Sequence, residues 1–287
     1  MSTDTLRRFI LELPQVRGSW VHLDQTWQTM LACAAYPQPV QTILGEALTA
    51  AVLLATTIKY KGSLILQIRG DGPIHLLVIQ VTDQGKVRGL ARWSKEPDSK
   101  QLAAIFGQGH MAITLQNDQT NERYQSIIPL EGDSLSAALE AYFLRSEQLA
   151  TRLWLSSNNR IAAGLLIQRL PQTLSTEEDW QRASTLLDTT TSKELLHLEP
   201  EDLLYRLFHE EQPRLFEEKP IEFVCTCSVE KVETMLRSLG EAEVQSIIQE
   251  QGSIGVTCEF CNTDYRLDAI DAERLFKDVL PNHPTLQ

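Results

Sequence analysis

Two short stretches near the C-terminus, FVCTCSVEK at 223–231 and GVTCEFCNTD at 255–264, contain four of the five cysteines of this 287-residue chain. Cys225 and Cys227 form a C-x-C pair, and Cys258 and Cys261 form a C-x-x-C pair after 30 intervening residues. Two close pairs at this separation fit a tetrahedral site in which each loop supplies two thiolates to one zinc ion. The stretches therefore predict that residues 225–287 form a small zinc-binding domain.

The segments around the cysteines predict short helices and strands that need a bound metal to hold them together. The predicted elements are a helix from Ser228 to Gly240, a helix at 241–250, strands at 253–257 and 264–268, and a last helix capped by Asp268. A domain of roughly sixty residues or fewer has little core and usually depends on a disulfide or a metal. We therefore expect this domain to unfold when it loses the metal.

The spacing of the cysteines leaves three interpretations open. The zinc site can be purely structural, or it can be a redox sensor that loses its metal on oxidation. A disulfide between residues two apart closes a small, strained and readily reduced ring, as expected of a regulatory bond. A thioredoxin-like active site is disfavoured, because CEFC is followed by the polar strand segment NTDYRLD and not by a helix. Cys33, in the apolar stretch MLACAAY, is interpreted as a buried inert thiol.

The net charge of −12 is unevenly distributed along the chain. Residues 1–170 carry 16 basic and 14 acidic side chains (+2), residues 171–224 carry 5 and 13 (−8), and residues 225–287 carry 5 and 11 (−6). An acidic surface repels phosphate, which argues against nucleic acid as the main partner.

The N-terminus and the hydropathy pattern argue against export and membrane insertion. MSTDTLRRFILELPQ has only short apolar runs broken by charge, and no segment is expected to reach the roughly 18 to 20 apolar residues of a membrane span. We expect a soluble cytoplasmic protein. In a reducing cytosol, paired cysteines are more often metal ligands or redox-active thiols than permanent disulfides.

Residues 1–170 predict an α+β domain with an antiparallel sheet and buried helices. PVQTILGEALTAAVLLATTIK at 39–59 is a helical stretch whose apolar faces are nearly continuous, so we expect it to be buried. Three strand-like runs follow at 62–93, separated by turn signals at 71–73 and 83–85, and predict an antiparallel meander. Further strands are predicted at 7–13, 18–23, 110–118, 123–131, 151–157 and 162–171, and a further helix at 134–146.

Residues 171–224 predict an acidic helical linker. Ser175 and Glu178 form a predicted capping box that opens one helix, and Pro200 is placed to open another. Helices this short are marginal in water and need a surface to pack on. Their predicted apolar faces consist of Trp180, Ala183, Leu186 and Leu187 in the first helix, and of Leu203, Leu204, Leu207 and Phe208 in the second.

The remaining candidate residues predict no catalytic site, so we expect a protein that is not an enzyme. GQGH at 107–110 lacks the third glycine of a dinucleotide-binding loop and is interpreted as a bulge or turn. Ser156 and Ser157 lie outside any G-x-S-x-G motif and are interpreted as turn residues. His209 is interpreted as a favourable charge at the end of a helix.

The cysteine pairs, together with four other segments, resemble the bacterial heat shock protein 33 family over essentially the whole chain. The segments are ILGEALTAAVLLATTIK at 43–59, RGDGPIHLL at 69–77, SLSAALEAYFLRSEQLATRLWL at 134–155 and AAGLLIQRLP at 162–171. That family consists of redox-regulated, ATP-independent holdase chaperones.

The resemblance implies a role for each paired cysteine. Cys225, Cys227, Cys258 and Cys261 would bind one zinc ion per chain in the reduced, inactive protein. Oxidation would pair Cys225 with Cys227 and Cys258 with Cys261, and would release the zinc. The linker would then unfold, and the protein would form a homodimer that holds unfolding client proteins.

The residue pattern offers a physical reason for these steps. Without thiolate ligands the small domain loses its metal, and the helices at 177–209 lose their support. Their apolar faces would then be available to clients, while their negative charge keeps the complex soluble. The predicted client-binding residues are Trp180, Leu186, Leu187, Leu203, Leu204, Leu207 and Phe208. Two competing classes remain open, namely a thiol-disulfide oxidoreductase and an acidic interaction protein with permanently structural zinc.

Overall fold

Two units, Met1–Val224 and Cys225–Gln287, make up the chain. The computed structural model describes residues 4–12, 15–120, 122–170, 176–211 and 213–277. The first unit includes the segment predicted as a linker, and the second begins at the first of the four paired cysteines.

The first unit contains two sheets and several helices. Its elements in chain order are β1 (Thr5–Leu11), β2 (Val16–Leu23), α1 (Gln25–Ala32), α2 (Gln38–Thr57), β3 (Gly62–Gly70), β4 (Ile74–Thr82), β5 (Lys86–Trp93), α3 (Leu102–Phe106), β6 (Gly109–Asn117), β7 (Arg123–Pro129), α4 (Leu135–Tyr142), a π-helical turn (Phe143–Glu147), β8 (Thr151–Ser157), β9 (Ala162–Arg169), α5 (Glu177–Asp188), α6 (Ser192–His197), α7 (Pro200–Phe208), β10 (Arg214–Pro220) and β11 (Glu222–Phe223). Sheet 1 has the strand order β10-β1-β2-β9-β8, and sheet 2 has the order β11-β5-β4-β3-β6-β7. All neighbouring strands are antiparallel except β11, which runs parallel to β5.

The predicted buried helix is α2, which lies in the core between the two sheets. It opens with Pro39 in its first turn, and most of its side chains are buried in one apolar cluster with residues of both sheets. By length and composition α2 could cross a membrane, which corrects the expectation that no segment reaches that size. However, 67% of its most apolar window is buried inside the protein, as in the core helix of a folded domain.

Sheet 1 buries both of its faces. Leu6 and Val21 lie on the face that contributes to the core around α2, whereas Phe9 and Trp20 lie on the opposite face. Strand residues alternate between faces, so a sheet buried on both sides carries large apolar side chains at successive positions, as LRRFIL and VRGSWVHL partly do. The second face is covered by α5, α6 and α7.

The cap of α5 corrects one prediction. Thr176 is the N-cap residue, its side chain accepts the backbone N–H of Asp179, and the Asp179 carboxylate accepts the N–H of Thr176. The capping box thus lies one residue after the predicted Ser175–Glu178 pair, of which Ser175 lies outside the described residues. The acidic partner is Asp179 and not Glu178, because the hydroxyl of the capping Thr176 accepts the backbone N–H of Asp179.

The second unit is small. Its elements are α8 (Val229–Leu239), α9 (Glu241–Gln251), β12 (Ile254–Thr257), β13 (Asp264–Leu267) and α10 (Ala269–Lys277). β12 and β13 form an antiparallel hairpin, and the CEFC motif lies at its turn. The buried apolar cluster of this unit consists of Val232, Leu236, Val244, Ile254, Leu267, Ala272 and Leu275.

Several elements differ from the sequence prediction. The helices α1, α3 and α6 and the strands β10 and β11 were not predicted. β10, with the sequence RLFEEKP, shows no clear apolar alternation and is held by its pairing with the edge of sheet 1. Cys33 is half-buried and not buried as predicted, because it lies just after the last turn of α1, where its Sγ donates to the carbonyl of Thr29.

Candidate metal centre

The four paired cysteines converge in the second unit. Their Sγ atoms all lie within 4.8 Å of one another, and each side chain is half-buried. Two of these Sγ–Sγ separations are 3.6 Å, between Cys225 and Cys258, and 3.3 Å, between Cys227 and Cys261. All four thiols are free, since these separations are far longer than an S–S bond of about 2.05 Å.

These separations match the geometry of a bound metal. Four sulfurs placed about 2.3 Å from a central zinc ion at tetrahedral angles lie about 3.8 Å apart. A centre with four thiolates suits a soft or borderline metal and not calcium or magnesium. The structure therefore forms a candidate four-thiolate site from the two predicted pairs.

Local backbone structure shapes each loop. Asn262 follows the CEFC knuckle with a φ of 59°, and its N–H donates to the carbonyl of Cys258 across 2.8 Å. Asparagine tolerates this left-handed conformation better than most residues, which explains its position there. On the other loop, Ser228 follows Cys227 and caps α8 by accepting the N–H of Lys231, so the helix begins at Val229, two residues after Cys227.

Two hydroxyl groups surround the sulfurs. Tyr265, on β13, donates its hydroxyl to Sγ of Cys227 across 3.0 Å. The hydroxyl of Thr263 lies 3.1 Å from Sγ of Cys261. Outer hydrogen bonds of this kind orient the ligands of metal sites. The sequence analysis did not single out either residue, although both lie within four positions of Cys261 and carry hydroxyl donors.

Cys225, Cys227 and Cys261 lie in different electrostatic environments. Burial raises the pKa of Cys225 to about 12. Burial also acts to raise the pKa of Cys261, but hydrogen bonds from the Thr263 side chain and backbone outweigh it and lower that pKa to about 6. For Cys227 the hydrogen bond from Tyr265 lowers the pKa, yet burial and the neighbouring Cys261 leave it raised overall. A bound cation lowers the pKa of every thiol that coordinates it.

The predicted client-binding residues lie in the first unit and are inaccessible there. Trp180, Leu187, Leu203, Leu204, Leu207 and Phe208 are buried, and Leu186 is partly buried. They form one apolar cluster with residues of sheet 1, among them Phe9, Leu11, Val16, Trp20, Leu165 and Ile167. A client could reach these side chains only after α5 and α7 separate from sheet 1.

The other residues considered in the sequence analysis lie at the ends of helices and strands. Ser156 and Ser157 are the last two residues of β8 and not turn residues as predicted, and the hydroxyl of Ser157 donates to the carbonyl of Thr42. The turn begins one residue later at Asn158, whose side chain accepts the N–H groups of Arg160 and Ile161. Gly107 follows α3 with a φ of 65°, as expected of a turn. His209 is the C-cap residue of α7, which confirms its predicted position at the end of a helix.

The fold and the cysteine cluster define a class of protein, namely a mixed α+β protein whose C-terminal unit is built around four cysteines that could hold a metal ion. The family model described as Hsp33 protein matches residues 4–268. The chain is therefore a member of the Hsp33 family.

Known relatives agree along almost the whole chain. It is 48% identical to the 33 kDa chaperonin of Nitrosococcus oceani, over 96% of this chain and 95% of that protein. It is 46% identical to the 33 kDa chaperonin of Chromobacterium violaceum, over 95% of this chain and 94% of that protein. The crystal structure of the 33 kDa chaperonin (heat shock protein 33 homolog) of Thermotoga maritima superposes with a TM-score of 0.85 at 26% identity, covering 95% and 97% of the two chains. These similarities confirm the predicted family and support a chaperone role.

Proposed function

We propose that this protein is a redox-regulated, ATP-independent holdase chaperone of the cytoplasm, and not an enzyme. The observation that carries the proposal is the cluster of four free thiols within 4.8 Å of one another, in a unit with only a small apolar core. Such a unit depends on a crosslink that oxidation can remove. Membership of the Hsp33 family, together with relatives that are named chaperonins, supports the client-holding role.

In the reduced state, Cys225, Cys227, Cys258 and Cys261 would hold one zinc ion. Zinc bound there would crosslink the two loops and keep the four thiols deprotonated. Tyr265 orients Cys227 and Thr263 orients Cys261 through the hydrogen bonds described above. In this state the apolar cluster between α5, α7 and sheet 1 stays closed, and the chaperone is inactive.

Oxidation would join Cys225 to Cys227 and Cys258 to Cys261. Each disulfide forms as two thiolates give up two electrons to an oxidant such as hydrogen peroxide, which takes up two protons and becomes two molecules of water. Two disulfides leave no thiolate to coordinate the metal, so the metal is released. The second unit is then left with a core of a few short apolar side chains and unfolds.

Unfolding of the segment that contains α5 to α7 would create the client-binding surface. This segment is attached to sheet 1 by apolar contacts and by a few surface ion pairs, such as that between Arg169 and Glu177 at 2.8 Å. Surface ion pairs contribute little, so the helices depend on the apolar contacts. Separation of these helices from sheet 1 would expose the apolar faces of the helices, which include Trp180 and Phe208. It would also expose the face of sheet 1 that includes Trp20. Two chains with such surfaces would associate as a homodimer around unfolded clients.

The experiment follows metal and activity on one sample. Zinc release is measured with a chromophoric chelator, and suppression of the aggregation of a thermally unfolding client is measured before and after peroxide or hypochlorite treatment. We expect release of about one zinc per chain, together with stoichiometric protection that a reductant reverses. The Cys33→Ser variant is the matched control, because it removes the one thiol outside the centre and should behave as wild type.

Other outcomes would identify the competing classes. Retention of zinc through oxidation, or protection that is independent of oxidation, would return the four cysteines to a structural role. Catalytic turnover on a small disulfide would indicate an oxidoreductase. Hydrogen exchange adds a separate test, since equal protection of residues 177–208 before and after oxidation would disprove unfolding of that segment.

A further inference from the structure

A cleft lies on the first unit, at the C-terminal end of α2. Its volume is about 730 Å³, within the range of about 300–1,000 Å³ typical of small-molecule sites. Its walls come from sheet 1, from the connection between α2 and β3, and from the turn between β4 and β5. Apolar side chains such as Val52, Ile58 and Val81 line part of it.

The lining is strongly basic for so acidic a protein. Five basic residues line the cleft, namely Arg8, Arg17, Lys59, Lys61 and Lys219. Among the lining residues that the structure describes, Asp83 is the single carboxylate. The residues of the first 170 positions carry a net charge of +2, so the acidity of the chain lies mainly in other segments.

The strand register explains why the basic residues of sheet 1 gather there. Lys219 on β10 is paired with Leu6 on β1, and Arg8 lies two residues further along β1. Side chains two residues apart on a strand point to the same face, and so do directly paired ones. Arg17 on β2 is paired with Ile10, two residues beyond Arg8, and therefore lies on this face as well.

These cations are only partly neutralised within the first unit. Arg17 donates to the side chain of Gln168 and to the carbonyl of Thr57 at the end of α2. The C-terminal end of a helix carries a partial negative charge, which partly offsets the charge of Arg17. Arg8 lies over the ring of Phe216 at 5.9 Å. Within the described part of the chain, Lys59, Lys61 and Lys219 form no ion pair with a carboxylate.

We propose that this cleft binds a small oligophosphate, with Lys59, Lys61 and Lys219 around its anionic chain and Arg8 and Arg17 at the sheet wall. Several cations around one cleft favour a ligand with several adjacent negative charges over a single carboxylate, because each phosphate group can take its own partner. Neither the metal centre nor the client-binding surface contributes to this site, so the inference is independent of the proposed function.

The test measures binding of sodium tripolyphosphate to the reduced, metal-loaded full-length protein by calorimetry. The variant Lys59→Gln/Lys61→Gln removes two charges from the cleft. The matched control Lys95→Gln/Lys193→Gln removes two exposed charges elsewhere in the same unit. Both double variants change the net charge equally and keep the metal centre, so general electrostatics and chelation of the metal act on both alike.

We expect one tripolyphosphate per chain, with binding weakened about tenfold or more in the cleft variant and unchanged in the control, since each lost lysine removes a hydrogen bond between charged groups. The slope of log Kd against log salt should also fall in the cleft variant alone. A second titration with ATP distinguishes an inorganic oligophosphate from a nucleotide as the ligand. Equal affinity for ATP and tripolyphosphate would assign recognition to the phosphate chain, and tighter binding of ATP would indicate an additional contact with the nucleoside. Absence of binding to the wild type, or equal loss in the two double variants, would overturn the proposal.

Discussion

Tyr265 is the residue beside the candidate metal centre that we expect to affect its affinity for the metal. Its hydroxyl donates to Sγ of Cys227 across 3.0 Å. This hydrogen bond raises the pKa of Tyr265 to about 12. Removal of outer hydrogen bonds typically costs about 10- to 100-fold in metal affinity. We therefore expect Tyr265→Phe to lower zinc affinity by at least about tenfold.

Competition with a chromophoric chelator measures this change directly, before any oxidant is added. Tyr124→Phe, which alters an exposed tyrosine of β7, is the control. Equal zinc affinities for Tyr265→Phe and wild type would show that the hydroxyl has no part in holding the centre.

Glu46 makes the stability of the first unit depend on pH. Burial raises the pKa of this α2 carboxyl group to about 7, partly opposed by the charge of Lys100. The unfolded chain has an ordinary carboxyl pKa near 4.3, so between about pH 4.3 and pH 7 the folded state binds more protons than the unfolded state. The stability of the unit should therefore fall as the pH rises through this interval and stay level above it.

The variant Glu46→Gln removes this titration. At pH 8 we expect it to be more stable than wild type by up to about 3 kcal/mol, with little difference at pH 4. Denaturant unfolding at a series of pH values measures the effect, and exposed Glu96→Gln controls for the loss of one charge. If the free energies of unfolding of Glu46→Gln and wild type differ by the same amount at all pH values, the titration of Glu46 does not affect stability.

At the scale of elements, α7 offers a test of whether the apolar cluster on sheet 1 is the proposed client-binding surface. Leu204 is fully buried against sheet 1, whereas its neighbour Tyr205 is 71% exposed. Replacement of a buried leucine by alanine costs about 2–5 kcal/mol. Leu204→Ala should therefore loosen the helix segment and give measurable suppression of client aggregation in the reduced protein.

Tyr205→Ala on the same helix is the matched control and should leave the reduced protein inactive. Hydrogen exchange of residues 177–208 should increase in Leu204→Ala alone. Faster exchange without client protection would show that these faces are not the client-binding surface.

At the scale of the whole molecule, the two units should respond differently to loss of the metal. The first unit has an extensive core around α2, while the second has a cluster of a few buried side chains. Structural zinc contributes about 10–16 kcal/mol to the folding of small metal peptides, more than such a core can supply. A strong chelator under reducing conditions should therefore unfold residues 225–277 and leave the strands of sheet 2 protected.

Hydrogen exchange of α8 and α9, compared with that of β3 and β4, measures this difference. Readdition of zinc should restore the protection of α8 and α9. Persistent protection of these helices in the metal-free protein would mean that the small apolar cluster is sufficient for folding.

The sequence alone predicted much of this protein, for reasons that are local. The spacing of the four cysteines predicted the candidate metal centre, because ligands close together in two loops need only one fold-back of the chain to meet. The apolar α2, the meander at 62–93 and the helix that begins at Pro200 followed from periodicity and turn signals within a few residues. The family followed from the combination of these segments.

The tertiary structure decided the features that depend on distant pairing. β10 exists because β1 offers an unpaired edge, although RLFEEKP has little strand character of its own. The partner of α5 and α7 is sheet 1, whose outer face no local pattern assigns to them. The hydrogen bond of Tyr265 to Cys227 and the basic cleft likewise join residues far apart in the chain. Local sequence patterns determine which segments are helices, strands and ligand loops, whereas contacts across long sequence separations depend on the packing of the whole chain.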